Sequence, residues 1–126
     1  MQQHLFEYAV IRIVPRVERE EFLNAGIVLY CKQQKFLKTL LTINEDRIRC
    51  FDQEISIAEI KEHFDAFQKI ASADLSGGPI AKLDVASRFR WLTAVRSTVI
   101  QASKVHVGFC NDLDLALNKL HEQLVV

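Results

Sequence analysis

The chain has no CxxC pair, no HxH, HxxH or HExxH, no GxSxG elbow and no glycine-rich phosphate loop. Each gap removes a class of chemistry. Histidine and cysteine lack the spacing that holds a structural or catalytic zinc ion, so no metal or cofactor is expected. Serines are scattered and no cysteine has an activating neighbour, so no nucleophile stands out. GGP at 77–79 lacks both the lysine and the pattern of a phosphate loop. An excess of one charge is also missing: sixteen basic and sixteen acidic side chains cancel. That balance argues against a protein built mainly to grip phosphate backbones. The three cysteines, Cys31, Cys50 and Cys110, are odd in number and widely spaced. They fit reduced thiols better than a disulfide scaffold. No cationic leader precedes an apolar stretch, and no apolar run approaches the ~20 residues of a membrane helix. The expectation is a soluble, cytoplasmic protein without a membrane segment.

What remains is an ordinary globular mixture. The 126 residues are 49% hydrophobic and 25% charged, enough to bury a core in a single domain over residues 1–126. Leu5 to Val14 is rich in β-branched and aromatic residues and stops at Pro15. Both alternation sets are apolar there, which predicts a central strand covered on both faces. Ala25 to Cys31 and Phe36 to Ile43 read as a hairpin joined by a four-residue loop, since no glycine offers a two-residue turn. Ile48 to Phe51 reads as a short further strand.

The period then changes. Ser56 and Glu59 form a capping box, and Ile57, Ile60, Phe64, Phe67 and Ala71 follow at helical spacing. Leu75 to Lys82 is a loop broken by Gly77-Gly78-Pro79. Asp84 opens a second helix to about Arg96, and Thr98–Gln101 and Val105–Phe109 read as strands. A third helix starts at Asp112, with Leu113, Leu117, Leu120 and Leu124 as its stripe. The fold class is therefore α+β, a mainly antiparallel sheet with about three helices packed on it.

Three stretches carry candidate chemistry. In EEFLNAGIVLYC, Glu21 is a candidate base and Asn24 a positioning donor, beside Gly26, which lets another group come close. Glu20 and Glu21 point to opposite faces of an extended chain, so they do not act as a pair. The plainer reading makes Asn24 a turn residue and leaves the acids in solvent. In SRFRWLTAVRS, Arg88, Trp91 and Arg96 could meet an anion, or simply pack and pair internally. Residues 84–108 hold three arginines and a lysine against one acid, a net of +3. Residues 52–74 hold six acids against two lysines, a net of −4. Such polarity suits a charged partner, or pairing between the two segments. In KVHVGF, His106 has the titration range for acid–base work, although a lone strand histidine is commonly held in place by a hydrogen bond. Gly108 again marks a close approach.

YAVIRIVPRVEREEFLNAGIVLYC, followed by RFRWLTAVRSTVIQASKVHVGFC, resembles a bacterial family catalogued only as a domain of unknown function (three-zero-three-seven). The order of motifs carries the resemblance: an aromatic strand, Val-Pro, a charged turn, Glu-Phe-x-Asn-x-Gly, Arg-Phe-x-Trp and His-x-Gly. It spans nearly the whole chain. The resemblance implies a bacterial cytoplasmic protein, brings no activity, and implies an accessory role beside a HipA-type kinase. It singles out Glu21, Asn24, Gly26, Arg88, Trp91, His106 and Gly108.

Three functional readings follow. The first is a non-catalytic interaction or regulatory module. The second is a small enzyme or anionic-ligand domain whose pocket joins Glu21, Asn24, Arg88, Arg96 and His106. The third, disfavoured by the neutral charge, is nucleic-acid binding through the basic patch from Arg88 to Lys104.

Overall fold

The computed structural model describes residues 3–126. β1 (His4–Ile13) lies at the centre of an antiparallel sheet, as its doubly apolar alternation predicts. One side of β1 pairs with β2 (Leu23–Cys31), which in turn pairs with β3 (Phe36–Leu41). The other side pairs with two short strands in succession. β4 (Ile100–Ala102) runs beside Ile11–Ile13, and β5 (His106–Cys110) runs beside His4–Tyr8. Ser103 fills the break between them. Its backbone N–H donates to Val10 O at 2.8 Å, and its Oγ accepts the Val10 N–H at 2.9 Å.

Helices cover both faces. α1 (Glu45–Phe51), α2 (Ile57–Ala71) and α3 (Val85–Leu92) lie on one, and α4 (Leu113–Leu124) on the other. Alternation decides which side chain goes where. Ala9, Ile11 and Ile13 of β1 join Val28, Ile48, Ile60, Phe64, Phe89 and Leu92 in the larger core. Phe6 and Val10 join Ile27, Leu29, Leu113 and Leu117 in the smaller one. α2 starts where expected, with Ser56 Oγ accepting the Glu59 N–H at 3.2 Å. The Glu59 carboxylate lies 3.8 Å from His63 Nε2 instead of closing the box.

Two expectations need correction. Among the described residues the α-helices number four, and the added one is α1, which takes up the segment expected as a strand at Ile48–Phe51. Asn44 Oδ1 accepts the Arg47 N–H at 3.1 Å, Glu45 and Asp46 fill the first turn, and Ile48 buries itself among the core residues. Only one strongly apolar side chain is needed to anchor so short a helix, so no stripe announces it. α3 also stops at Leu92 rather than near Arg96, where Thr93 Oγ1 donates to Phe89 O at 2.9 Å.

Candidate functional site

Glu21 belongs to the connection between β1 and β2. Val17–Arg19 form one 3-10 turn, and Glu20 follows with φ 56°, the left-handed geometry that reverses the chain into β2. That conformation costs a non-glycine residue about 1 kcal/mol. Glu21 pairs with the Arg19 guanidinium. The bond and charge of Arg19 hold the Glu21 carboxyl below its usual range, and Glu21 in turn raises Arg19. A carboxylate fixed in its ionised form and bathed in solvent is a weak general base. The pair lines an open cleft of about 540 Å³ between this connection and the segment after α1. Across it Arg16 faces Asp52 at 3.6 Å and Glu54 at 3.9 Å.

Asn24 and Gly26 flank a bulge. Ile11 pairs with Gly26 and Arg12 with Asn24, which leaves Ala25 as the extra residue. Asn24 Nδ2 donates to Leu124 O at 3.0 Å, and Arg47 Nη1 donates to Val125 O at 2.7 Å. Together they satisfy carbonyls that the end of α4 leaves free. Asn24 Oδ1 is buried without a partner, as is Nε of Arg12, whose guanidinium lies 3.9 Å from the centre of the Phe22 ring. Gly26 admits β3. A Cβ there would lie 2.5 Å from Leu41 Cδ2 and 2.8 Å from the Leu40 carbonyl oxygen.

Arg88 is 7% exposed and spends its guanidinium on backbone. Nε donates to Leu83 O at 3.0 Å, while Nη1 donates to Ile70 O at 3.0 Å and Ala71 O at 2.8 Å. The last two carbonyls terminate α2, where the helix dipole is negative. Trp91 is half-buried, edge-on to Phe67 at 5.8 Å. Arg96 covers its ring face at 4.3 Å and donates to the carbonyls of Trp91 and Leu92. Burial lowers the Arg96 pKa. Of the basic patch, Arg90 and Lys104 alone are exposed without such bonds to backbone carbonyls. Among the described residues no ion pair joins the acidic segment 52–74 to the basic segment 84–108.

His106 stands at the other end of the sheet. Its ring lies 5.3 Å from that of Tyr8, its cross-strand neighbour. Gly108 sits under Phe6, whose Cζ would be 2.6 Å from an added Cβ. Tyr8, opposite His106, and Ile13, opposite Leu23, are five residues apart on β1, about 17 Å. Glu21 lies beyond Leu23. Glu21 and Asn24 therefore share one end of the sheet, Arg88, Trp91 and Arg96 belong to the helical layer, and His106 with Gly108 occupies the far edge. Among the described residues Glu21 and Asn24 line separate cavities, and neither cavity includes Arg88, Arg96 or His106. Among the described residues no three His, Cys, Asp or Glu side chains come together as a metal site.

The feature that motif reading missed is apolar. Val105, just before β5, and Val107 and Phe109 within it alternate along the chain and are 41, 68 and 67% exposed, with Leu5 opposite Phe109 at 49%. They continue the face that α2 and α3 cover farther along the sheet. The signal lay in the apolar alternation of KVHVGF itself: α2 and α3 do not pack over β5, so the set on their face of the sheet meets solvent. On the α4 side, Phe6, Cys110, Leu115 and Leu120, with the polar Asp112 and Lys119, line a shallow groove of about 330 Å³.

No curated protein matches the chain, and no solved structure does. A family model described as "Protein of unknown function (DUF3037)" matches residues 8–125, almost the whole fold from β1 to the end of α4. The chain belongs to that family.

Proposed function

We propose that the protein is a non-catalytic interaction module that docks a protein partner on the apolar face of β5. The exposure of Val107 and Phe109, side by side with Leu5 on a sheet face, carries this reading. Scattered apolar residues are common on surfaces, but a contiguous set on a strand attracts another chain or aggregates unless covered. The dispersal of the polar candidates supports it too: Arg88 and Asn24 are bound to backbone carbonyls, and Glu21 to Arg19. A partner surface of matching chemistry is an apolar helix or strand face ringed by polar groups.

The family resemblance makes a HipA-type kinase the first partner to try. Purified kinase would be passed over immobilised wild-type protein and over Phe109→Lys. Retention by the wild type at micromolar concentration, lost in the variant, is the expected result. Equal retention by both removes β5 as the docking face, and no retention by either removes the kinase as partner.

A further inference from the structure

The two edges of the sheet differ in how they meet solvent. β3 and the turn before it carry Lys32, Lys35 and Lys38, and such charges discourage a further strand from adding. β5 itself holds no charged guard, and Lys104 stands two residues before it. From Val105 to Asn111 the chain holds no acidic, lysine or arginine side chain, and β5 pairs with β1 on one side only. Its outer row of backbone donors and acceptors faces outward along an apolar strand.

We infer that β5 pairs antiparallel with β5 of a second copy about a two-fold axis through Val107, joining two sheets into one. The inference rests on the reading of β5 as an interaction surface, and names a second copy as the occupant of its edge, distinct from the face. The register follows from the sequence. Centred on Val107, the pairing sets Val107 against Val107 of the second copy and Phe109 against its Val105. Aromatic with β-branched pairs of this kind stabilise a sheet. On the opposite face His106 stands against Gly108, beside the Phe6 ring that already lies over it. Just beyond β5, Lys104 lies diagonal to Asp112 of the second copy, whose carboxylate also accepts the Leu115 N–H at the start of α4. Both ends of the seam thus gain a complementary charge.

A shift of the centre to Gly108 places Val105 against Asn111 and loses this match. The two-fold is also indifferent to which set of β5 residues bonds to β1. Either the Val107 pair or the flanking His106–Gly108 pairs carry the new hydrogen bonds. A seam only one five-residue strand long is smaller than the ~800 Å² per partner of a standard interface, which makes the dimer a weak one.

Sedimentation velocity tests this from about 5 to about 300 µM, a range that brackets a micromolar dissociation constant. Wild-type protein should move from monomer towards dimer across it, while Val107→Lys, which brings like charges together on the axis, stays monomeric. The new lysine faces Glu7 across β1, so the fold should be kept, and an unchanged melting curve checks this.

A second readout uses a Cys50→Ser, Cys110→Ser background. Val107→Cys should form a disulfide-linked dimer under mild oxidation, since opposed residues lie about 4.5–5.5 Å apart between Cα atoms. Lys104→Cys should not, because it faces position 110 rather than itself. A wild type that stays monomeric to the top of the range overturns the inference. So does a dimer indifferent to Val107→Lys, or equal cross-linking at both positions. Kinase retention that is lost in Phe109→Lys while the wild type is monomeric would leave the interaction reading standing without the dimer.

Discussion

Replacing Arg88 by methionine separates a structural cation from a ligand-binding one. The substitution keeps an unbranched apolar stem and removes the guanidinium. Three hydrogen bonds disappear, to Leu83 O, Ile70 O and Ala71 O. Bonds to a charged group contribute about 1.5–3 kcal/mol each, but the three share one group whose removal also relieves its own desolvation. The freed carbonyls of Ile70 and Ala71 belong to buried residues and recover only part of their hydration, so the net loss expected is about 3 kcal/mol. With an unfolding entropy of about 2.1 cal/mol/K per residue, 126 residues give a fall in Tm of about 11 °C.

Arg88→Lys should lose much of the same stability, because an ammonium cannot present the fork that spans Leu83 and the end of α2. Calorimetry or urea unfolding would measure both. If Arg88→Met melts within about 3 °C of the wild type, the guanidinium is not closing α2 and a role in binding returns.

Gly26→Ala should cost about 2 kcal/mol by urea midpoint, since one of the colliding atoms is a backbone oxygen that cannot step aside. An unchanged midpoint would mean that β3 is held less closely than it stands here. Glu21 should titrate below the ordinary carboxylate range by NMR, and Arg19→Gln should raise its midpoint. The sign follows from that depression: any stability from the pair is present above the unfolded-state value and fades as pH falls through the folded one. Because both groups are fully exposed, added salt should weaken the effect, and a midpoint insensitive to Arg19 would refute the pairing.

The strands and the two long helices were legible because burial imposes a period on them. β1 needed apolar side chains on both faces, and α2 needed a stripe facing the sheet. α1 escaped because a seven-residue helix buries only Ile48, leaving IRCF to look like any short apolar run. Its signals were capping and charge, with Asn44 before the first turn, two acids in it and Arg49 in the last. These are weaker than periodicity, but they were decisive once the segment was too short to show a period.

The candidate site was less legible, for a reason that concerns backbone rather than chemistry. An isolated Asn, Arg or Gly in a motif draws attention because such residues serve in sites. The same donor capacity and small size also close helix ends and let strands approach. Asn24 and Arg88 each terminate a helix distant in sequence, α4 and α2, and Gly26 and Gly108 each lie against a neighbouring strand. A sequence shows the capacity, while the long-range partner that absorbs it is a matter of topology. His106 differs in that, among the described residues, no hydrogen bond holds its ring, and it stands on an edge strand that itself carries no charged side chain. The polar motif and the apolar stripe of KVHVGF thus belong to the same strand and the same surface. On that strand the alternation of Val105, Val107 and Phe109 points to an interface more directly than the histidine between them points to catalysis.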